Sequence, residues 1–167
     1  CTLATGCMAK ENDRGFSVTT AVNCTATSNA NNGLSAGTAI HCTASLNGGI
    51  GISGGTATNC TAQSNGSHGI QVSMLAQNNQ CTSNGTGAGG GAGIAVSTER
   101  VRVDGNTCTS NDWGIQLINS NTISDAFIVR NFCANNLMAP TNGNGATGNY
   151  DFNREFQRGG GKTYGNI

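Results

Sequence analysis

Charge is scarce in this sequence: 8 Lys and Arg residues face 8 Asp and Glu among 167, and the formal net charge is zero. Without a basic surplus there is no electrostatic footprint for nucleic acid or for an anionic membrane surface. Proline occurs once, and with so little charge this excludes the charged, proline-rich composition of disordered chains. Aromatic residues make up 5%, and half of them (Tyr150, Phe152, Phe156 and Tyr164) fall near the end. No run approaches the ~18 consecutive apolar residues that a membrane-spanning helix needs, so no membrane insertion is expected. The chain opens on Cys1 with neither an initiating Met nor a signal-like apolar run, which suggests a processed or excised piece.

Small and polar residues fill the space instead. Gly, Asn, Thr, Ala and Ser account for 100 of the 167 residues, which leaves no material for a large aliphatic core. Eight cysteines are present, and seven of them recur: Cys7, Cys24, Cys42, Cys60, Cys81, Cys108 and Cys133, at spacings of 17, 18, 18, 21, 27 and 25. Around the early ones the match extends along the chain, as in Thr20-Ala21-Val22-Asn23-Cys24, Thr38-Ala39-Ile40-His41-Cys42 and Thr56-Ala57-Thr58-Asn59-Cys60. An Asn follows five residues later (Asn12, Asn29, Asn47, Asn65) and, in later units, three residues later (Asn84, Asn111). A Gly and an alternating pair come next, as in Gly33-Leu34-Ser35-Ala36, Gly49-Ile50-Gly51-Ile52, Gly69-Ile70-Gln71-Val72 and Gly114-Ile115-Gln116-Leu117.

Each unit therefore holds short segments of period two between Asn/Gly turns, too short for helices and too poor in hydrophobes to bury themselves. Stacking is the way such units make a core. The expected fold is all-β: a single-stranded parallel β-helix, or solenoid, of about seven coils over residues 1–136, with coils ~4.8 Å apart. The Cys, Ala and Ile/Val/Leu positions would form vertical files in a narrow lumen. Asn and Gly would supply turns through their tolerance of the left-handed backbone region, and stacked Asn amides could bond to one another. The insertion at 85–92 and the longer arm at 118–126 read as loops. Residues 137–167, with their aromatics and charges, read as a separate cap or docking segment, with Tyr150, Phe152, Phe156 and Tyr164 as candidate assembly contacts.

Parallel stacking keeps side-chain vectors parallel, so neighbouring cysteine Cβ atoms stand farther apart than the ~3.5–4.5 Å that disulfides prefer. A buried file of reduced thiols is favoured on that ground, while disulfides or a metal remain alternatives. No CxxC pair or Cys/His cluster of zinc type occurs, and no cofactor is expected.

A polysaccharide hydrolase needs paired carboxylates, and a lyase needs a base beside cation-binding acids. The nearest approach to such a cluster is an outward face of Arg100, Arg102, Asp125 and Arg130, close to Glu99 and Asp104, with Trp113 as an aromatic that could stack on a sugar. Weak surface ion pairing is the simpler account of those charges, and turn packing the simpler account of Trp113. His41 and His68 fit polar turns. No nucleophile elbow or phosphate loop is present.

Asn/His-Cys-Thr-Ala followed by Gly-Ile-x-Val resembles the right-handed parallel β-helix repeat proteins of bacteria. More narrowly, residues 81–89, 106–115, Asn149-Tyr150-Asp151 and Tyr164-Gly165-Asn166-Ile167 resemble secreted, uncharacterised families of the Verrucomicrobia and Planctomycetes type. That resemblance implies export to the cell surface or beyond, with further coils and a signal peptide upstream of Cys1, but no activity. A six-residue grid through Phe16, Val22, Leu34 and Ile40 would suit a left-handed coil, but the later spacings break it, so a right-handed coil is preferred. Three functions follow as expectations: a structural solenoid stacking end to end into a homo-oligomeric fibre or surface layer, a carbohydrate-binding or polysaccharide-processing module, and an adhesin.

Overall fold

A computed structural model describes residues 2–86, 90–118 and 126–137, and the backbone of 150–151. Strands of two sheets alternate along the chain: β1 (Leu3–Thr5) and β2 (Met8–Lys10), β3 (Phe16–Val22) and β4 (Thr25–Thr27), β5 (Leu34–Ile40) and β6 (Thr43–Ser45), β7 (Ile52–Thr58) and β8 (Thr61–Gln63), β9 (Ile70–Gln77) and β10 (Gln80–Thr82). The longer strand then divides, so that β11 (Ala92–Val96) and β12 (Arg102–Asp104) precede β13 (Thr107–Thr109), and β14 (Trp113–Leu117) and β15 (Phe127–Val129) precede β16 (Phe132–Ala134). Last comes β17 (Tyr150–Asp151), which pairs with β14. Among the described residues every strand pairing is parallel, and no helix occurs. The odd-numbered strands up to β11, with β12, β14, β15 and β17, make a ten-stranded sheet; β2, β4, β6, β8, β10, β13 and β16 make a seven-stranded one of short strands. The fold is a parallel β-solenoid, and seven strands in the short sheet correspond to six complete steps from coil to coil.

Strand register defines the inward files. One runs Ala4, Ala21, Ala39, Ala57, Ala76, Val103, Ile128. A second runs Leu34, Ile52, Ile70, Ile94, Ile115, and a third Ala9, Ala26, Ala44, Ala62, Cys81, Cys108, Cys133. The narrow lumen expected from composition thus belongs to the early coils, where Ala faces Ala. Farther along, Val, Ile and Cys replace Ala, and the coil lengthens through the segments between β10 and β11, β11 and β12, and β14 and β15.

The cysteines do not form one file. Cys81 lies beside Ala62, two residues out of step with Cys60, whose own position is taken in the next coil by Asn79. Cys7, Cys24, Cys42 and Cys60 therefore continue as Asn79, Asn106 and Asn131, while Cys81, Cys108 and Cys133 continue the alanines. Positions i and i+2 of a strand face the same side, so a thiol fits inward at either place.

Two sharp corners flank each short strand. The residue entering the first corner has positive φ at Gly6, Asn23, His41, Asn59, Asn78, Gly105 and Arg130, and the residue leaving at the second does so at Glu11, Ser28, Leu46, Ser64, Ser83, Ser110 and Asn135. The ladder asparagines Asn12, Asn29, Asn47, Asn65, Asn84 and Asn111 follow these residues and do not share their backbone. Nor do the recurring glycines supply positive φ. Gly33, Gly51 and Gly69 are small because a Cβ there would stand 2.6 Å from the side-chain amide nitrogen of Asn47, Asn65 and Asn84 respectively. Gly49-Ile50 is not the repeat equivalent of Gly33-Leu34, because Ile52 is the residue paired with Leu34.

Leu46 is the misfit among the corner residues: it adopts φ 57° and is 62% exposed, so its side chain gains little from burial while its Cβ opposes the left-handed backbone. Leu46→Gly is expected to raise stability by about 1 kcal/mol, read as a higher denaturant midpoint with unchanged slope.

Candidate functional site

The most extensive polar constellation in the molecule is internal. Each buried ladder asparagine uses its whole amide. Asn47 Nδ2 donates to Asn65 Oδ1 at 2.9 Å and to the Ala26 carbonyl at 3.1 Å, while Asn47 N donates to the same Asn65 Oδ1 at 3.2 Å. The pattern repeats from Asn29 through Asn65, Asn84 and Asn111 to Asn136. Asn12 enters the ladder only through its backbone N–H, which donates to Asn29 Oδ1 at 3.1 Å, and its side chain is exposed.

A second ladder, absent from the reading of the sequence, joins Asn79, Asn106 and Asn131 at the first corner. Asn79 Nδ2 donates to Asn106 Oδ1 at 2.9 Å and to the Ala57 carbonyl at 2.9 Å, and Asn106 Nδ2 donates to Asn131 Oδ1 at 2.9 Å. The cysteines below them do the same work less well. Cys60 Sγ donates to the carbonyls of Thr58 and Ala39 at 3.3 and 3.5 Å, and accepts from Cys42 N at 3.4 Å. A thiol is a weak donor and acceptor, so these corners are held more loosely than the asparagine ones.

None of the seven described cysteines is in a disulfide, with Cys7 exposed and Cys133 half-buried. Its bond to the Cys42 thiol, and then burial, push the Cys60 thiol pKa upward. At Cys108 the bond to Cys133 acts downward, but the bond to Cys81 and complete burial outweigh it and hold the thiol well above its ordinary value. At Cys60 and Cys108 a thiol held in this way packs as a small apolar group.

One group of charges lies on the later coils, apart from the exposed pairs Lys10–Glu11 and Asp13–Arg14 of the first. Asp104, in β12, has a side chain only 1% exposed because two guanidiniums cover it. Arg102 donates from Nη2 and Nε to Asp104 Oδ2 at 2.7 and 3.2 Å, and Arg130 donates from Nε to Oδ1 at 2.8 Å and from Nη2 to Oδ2 at 2.6 Å. The bonds from Arg130, then those from Arg102, lower the Asp104 pKa to about 2. Arg102 also lies 5.3 Å from the Phe127 ring centroid, its register partner. Arg100 is exposed in a turn with φ 57° and has no part in this pairing, and Asp125 lies outside the described residues.

Trp113 is only 8% exposed and packs with Ala92, Ala95 and Ile118 in a small second core, so it offers no open ring for stacking. Beside it the glycine-rich segment is tied at its end: Gly91 N donates to Asp112 Oδ2 at 3.1 Å, and Ala92 N donates to His68 Nδ1 at 3.0 Å. Burial lowers the His68 pKa, which keeps the ring in the neutral form that this acceptor role requires. His41 Nε2 lies 3.2 Å from Asn59 Nδ2 on the surface. Tyr150 contributes backbone pairing through β17, while Phe152, Phe156 and Tyr164 lie outside the described residues. Among the described residues no group of three or more His, Cys, Asp or Glu side chains is placed to hold a metal ion, and no helix is long and apolar enough to cross a membrane.

No family model matches the chain, and neither a curated protein nor a solved structure does. The solenoid architecture therefore stands on strand pairing and ladder geometry alone.

Four substitutions test these interactions. Asn65→Ala strands the N–H groups of Asn47 in the interior and is expected to cost about 3 kcal/mol, since each buried group left unpaired costs roughly 1–3 kcal/mol; Asn12→Ala should change stability by less than about 0.5 kcal/mol, both measured by urea unfolding. Cys60→Asn should extend the second ladder downward from Asn79 and raise the melting temperature, a gain of about 1 kcal/mol. The folded-state pKa of Asp104 lies below its unfolded value, so its contribution is present above pH ~4 and lost as pH falls toward 2. Solvent around the exposed guanidiniums limits that contribution to about 1 kcal/mol, and an acid titration of Asp104→Asn should lack that part of the loss.

Proposed function

We propose that this protein is a non-enzymatic structural β-solenoid whose coils stack end to end between copies to build a fibre or surface layer outside the cell. The observation that carries the reading is the asparagine ladder: each coil recognises the next through backbone bonds plus one side-chain amide, repeated without interruption from Asn12 to Asn136. A second copy offers the same surface, and heterologous head-to-tail contacts propagate rather than close. Among the described residues β2 and β16 stand at the two ends of the short sheet, and an end strand is a template for further pairing. Resemblance to secreted bacterial β-helix proteins supports the extracellular setting.

Sedimentation and electron microscopy across a concentration series test the proposal. Rods lengthening with concentration are expected. Met8→Pro, which removes an N–H from β2 while leaving the recorded bonds of Cys7 and Glu11 to the second coil in place, should shorten them. Monodisperse single copies at high concentration would overturn the reading.

A further inference from the structure

The guanidinium pair on the later coils is more than the solenoid needs. Asp104 occupies the outward file that holds Ile40, Thr58 and Gln77 in earlier coils, and Arg102 follows Thr38, Thr56 and Leu75 in the neighbouring file. Arg130 stands at the corner position filled elsewhere by Asn23, Asn59 and Gly105. The coils of Asn23, His41 and Asn59 carry the ladder from Asn29 to Asn65 without a charge at these places, so the ions are an addition to that architecture rather than a condition of it.

We propose that Arg102 and Arg130, fixed by Asp104, form a binding site for the carboxylate or sulfate groups of an acidic polysaccharide. One carboxylate offsets one guanidinium, and the trio keeps a single positive charge. The two arginine side chains remain 51% and 69% exposed. Each uses Nε and Nη2 on Asp104 and keeps N–H groups that Asp104 does not use, in the planar fork that suits carboxylate or sulfate oxygens.

Both arginines are held before any ligand arrives. Arg102 belongs to β12, which is paired on both sides, and leans on Phe127. Arg130 immediately precedes Asn131, the last described member of the second ladder. Preordered side chains lose less entropy on binding, so more of the contact energy appears as affinity.

Phe127, 42% exposed next to Arg102, places apolar surface beside the charge. An acidic sugar has the complementary form, a negative group attached to a ring with apolar C–H faces. Nucleic acid is a poor match, because its binding depends on many phosphate contacts and a summed positive field, and here eight bases balance eight acids.

The site is independent of end-to-end assembly, and its test uses the whole chain. Oligogalacturonate, a sulfated glucan and a neutral glucan of similar length would be titrated at low and high salt by calorimetry. Binding of one or both anionic chains, weakened by salt and absent for the neutral chain, is expected, and the pair of arms distinguishes carboxylate from sulfate. Arg130→Gln should weaken that binding at least tenfold and Arg130→Lys less, with thermal melts confirming that both fold. Phe127→Ala should weaken binding of the sugar chains but not of a glutamate-rich peptide used for comparison. No anionic binding at low salt, unchanged affinity in folded Arg130→Gln, or equal binding of the peptide would overturn the proposal.

Discussion

Everything in this molecule depends on one bond arrangement: an asparagine oxygen accepting both the backbone N–H and the side-chain N–H of the asparagine one coil away. A tight corner leaves a backbone donor pointing inward, where an unpaired group costs roughly 1–3 kcal/mol. The ladder satisfies it with the same residue type that creates the next acceptor, so the solution repeats indefinitely. Corner φ, glycine size and strand length all follow. The residue before the asparagine turns through the left-handed region, the glycine facing the amide has no room for a Cβ, and the strand between corners is limited to three residues.

The early coils, lined by Ala, bury little apolar surface for each residue they order. Ordering a residue costs about 1–2 kcal/mol of backbone entropy, so hydrogen bonding from coil to coil must supply a larger share of the stabilisation there than in an ordinary core. The later coils shift the balance through Val103 and Ile128, which continue the file of Ala57 and Ala76 and are fully buried. The same widening separates the longer strand into two pieces, and one of those pieces, β12, carries Arg102 and Asp104.

Architecture was legible in the sequence because period-two patterning and a recurrent unit leave stacking as the means of burial. The asparagine ladder was legible too, but only the half nearest the second corner. Asn79, Asn106 and Asn131 were hidden because cysteine moves by two residues between Cys60 and Cys81, and a two-residue step keeps a strand side chain facing inward. Aligning on cysteine therefore made the distance to the next asparagine seem to shrink from five to three, whereas measured from the true corner it stays at five throughout, as in Cys60 to Asn65 and Asn79 to Asn84. Packing was the simpler reading of Trp113 beside Asn111 and Asp112, but its partners Ala92 and Ala95, about twenty residues away, come together with it only in the fold. The Arg102–Asp104–Arg130 trio was visible as a neighbourhood but not as a bonded unit, because which charge becomes covered depends on side-chain reach rather than on register. Glycine's role was misassigned for a related reason: a need for positive φ and a need for closeness leave the same letter in the sequence.

The constant interval of five residues between corners acts as a ruler. It is held at both ends by ladders, whereas the stretch from the second corner round to the next first corner is measured by nothing but closure, and coils of 18 and 27 residues accept the same neighbours. Foreign peptides grafted at the exposed turn 98–100 should therefore be displayed without disturbing the stack, while a single residue inserted between Asn79 and Asn84 would throw one ladder out of phase with the other. The protein is tolerant of length almost everywhere and intolerant of it in one short, repeated place.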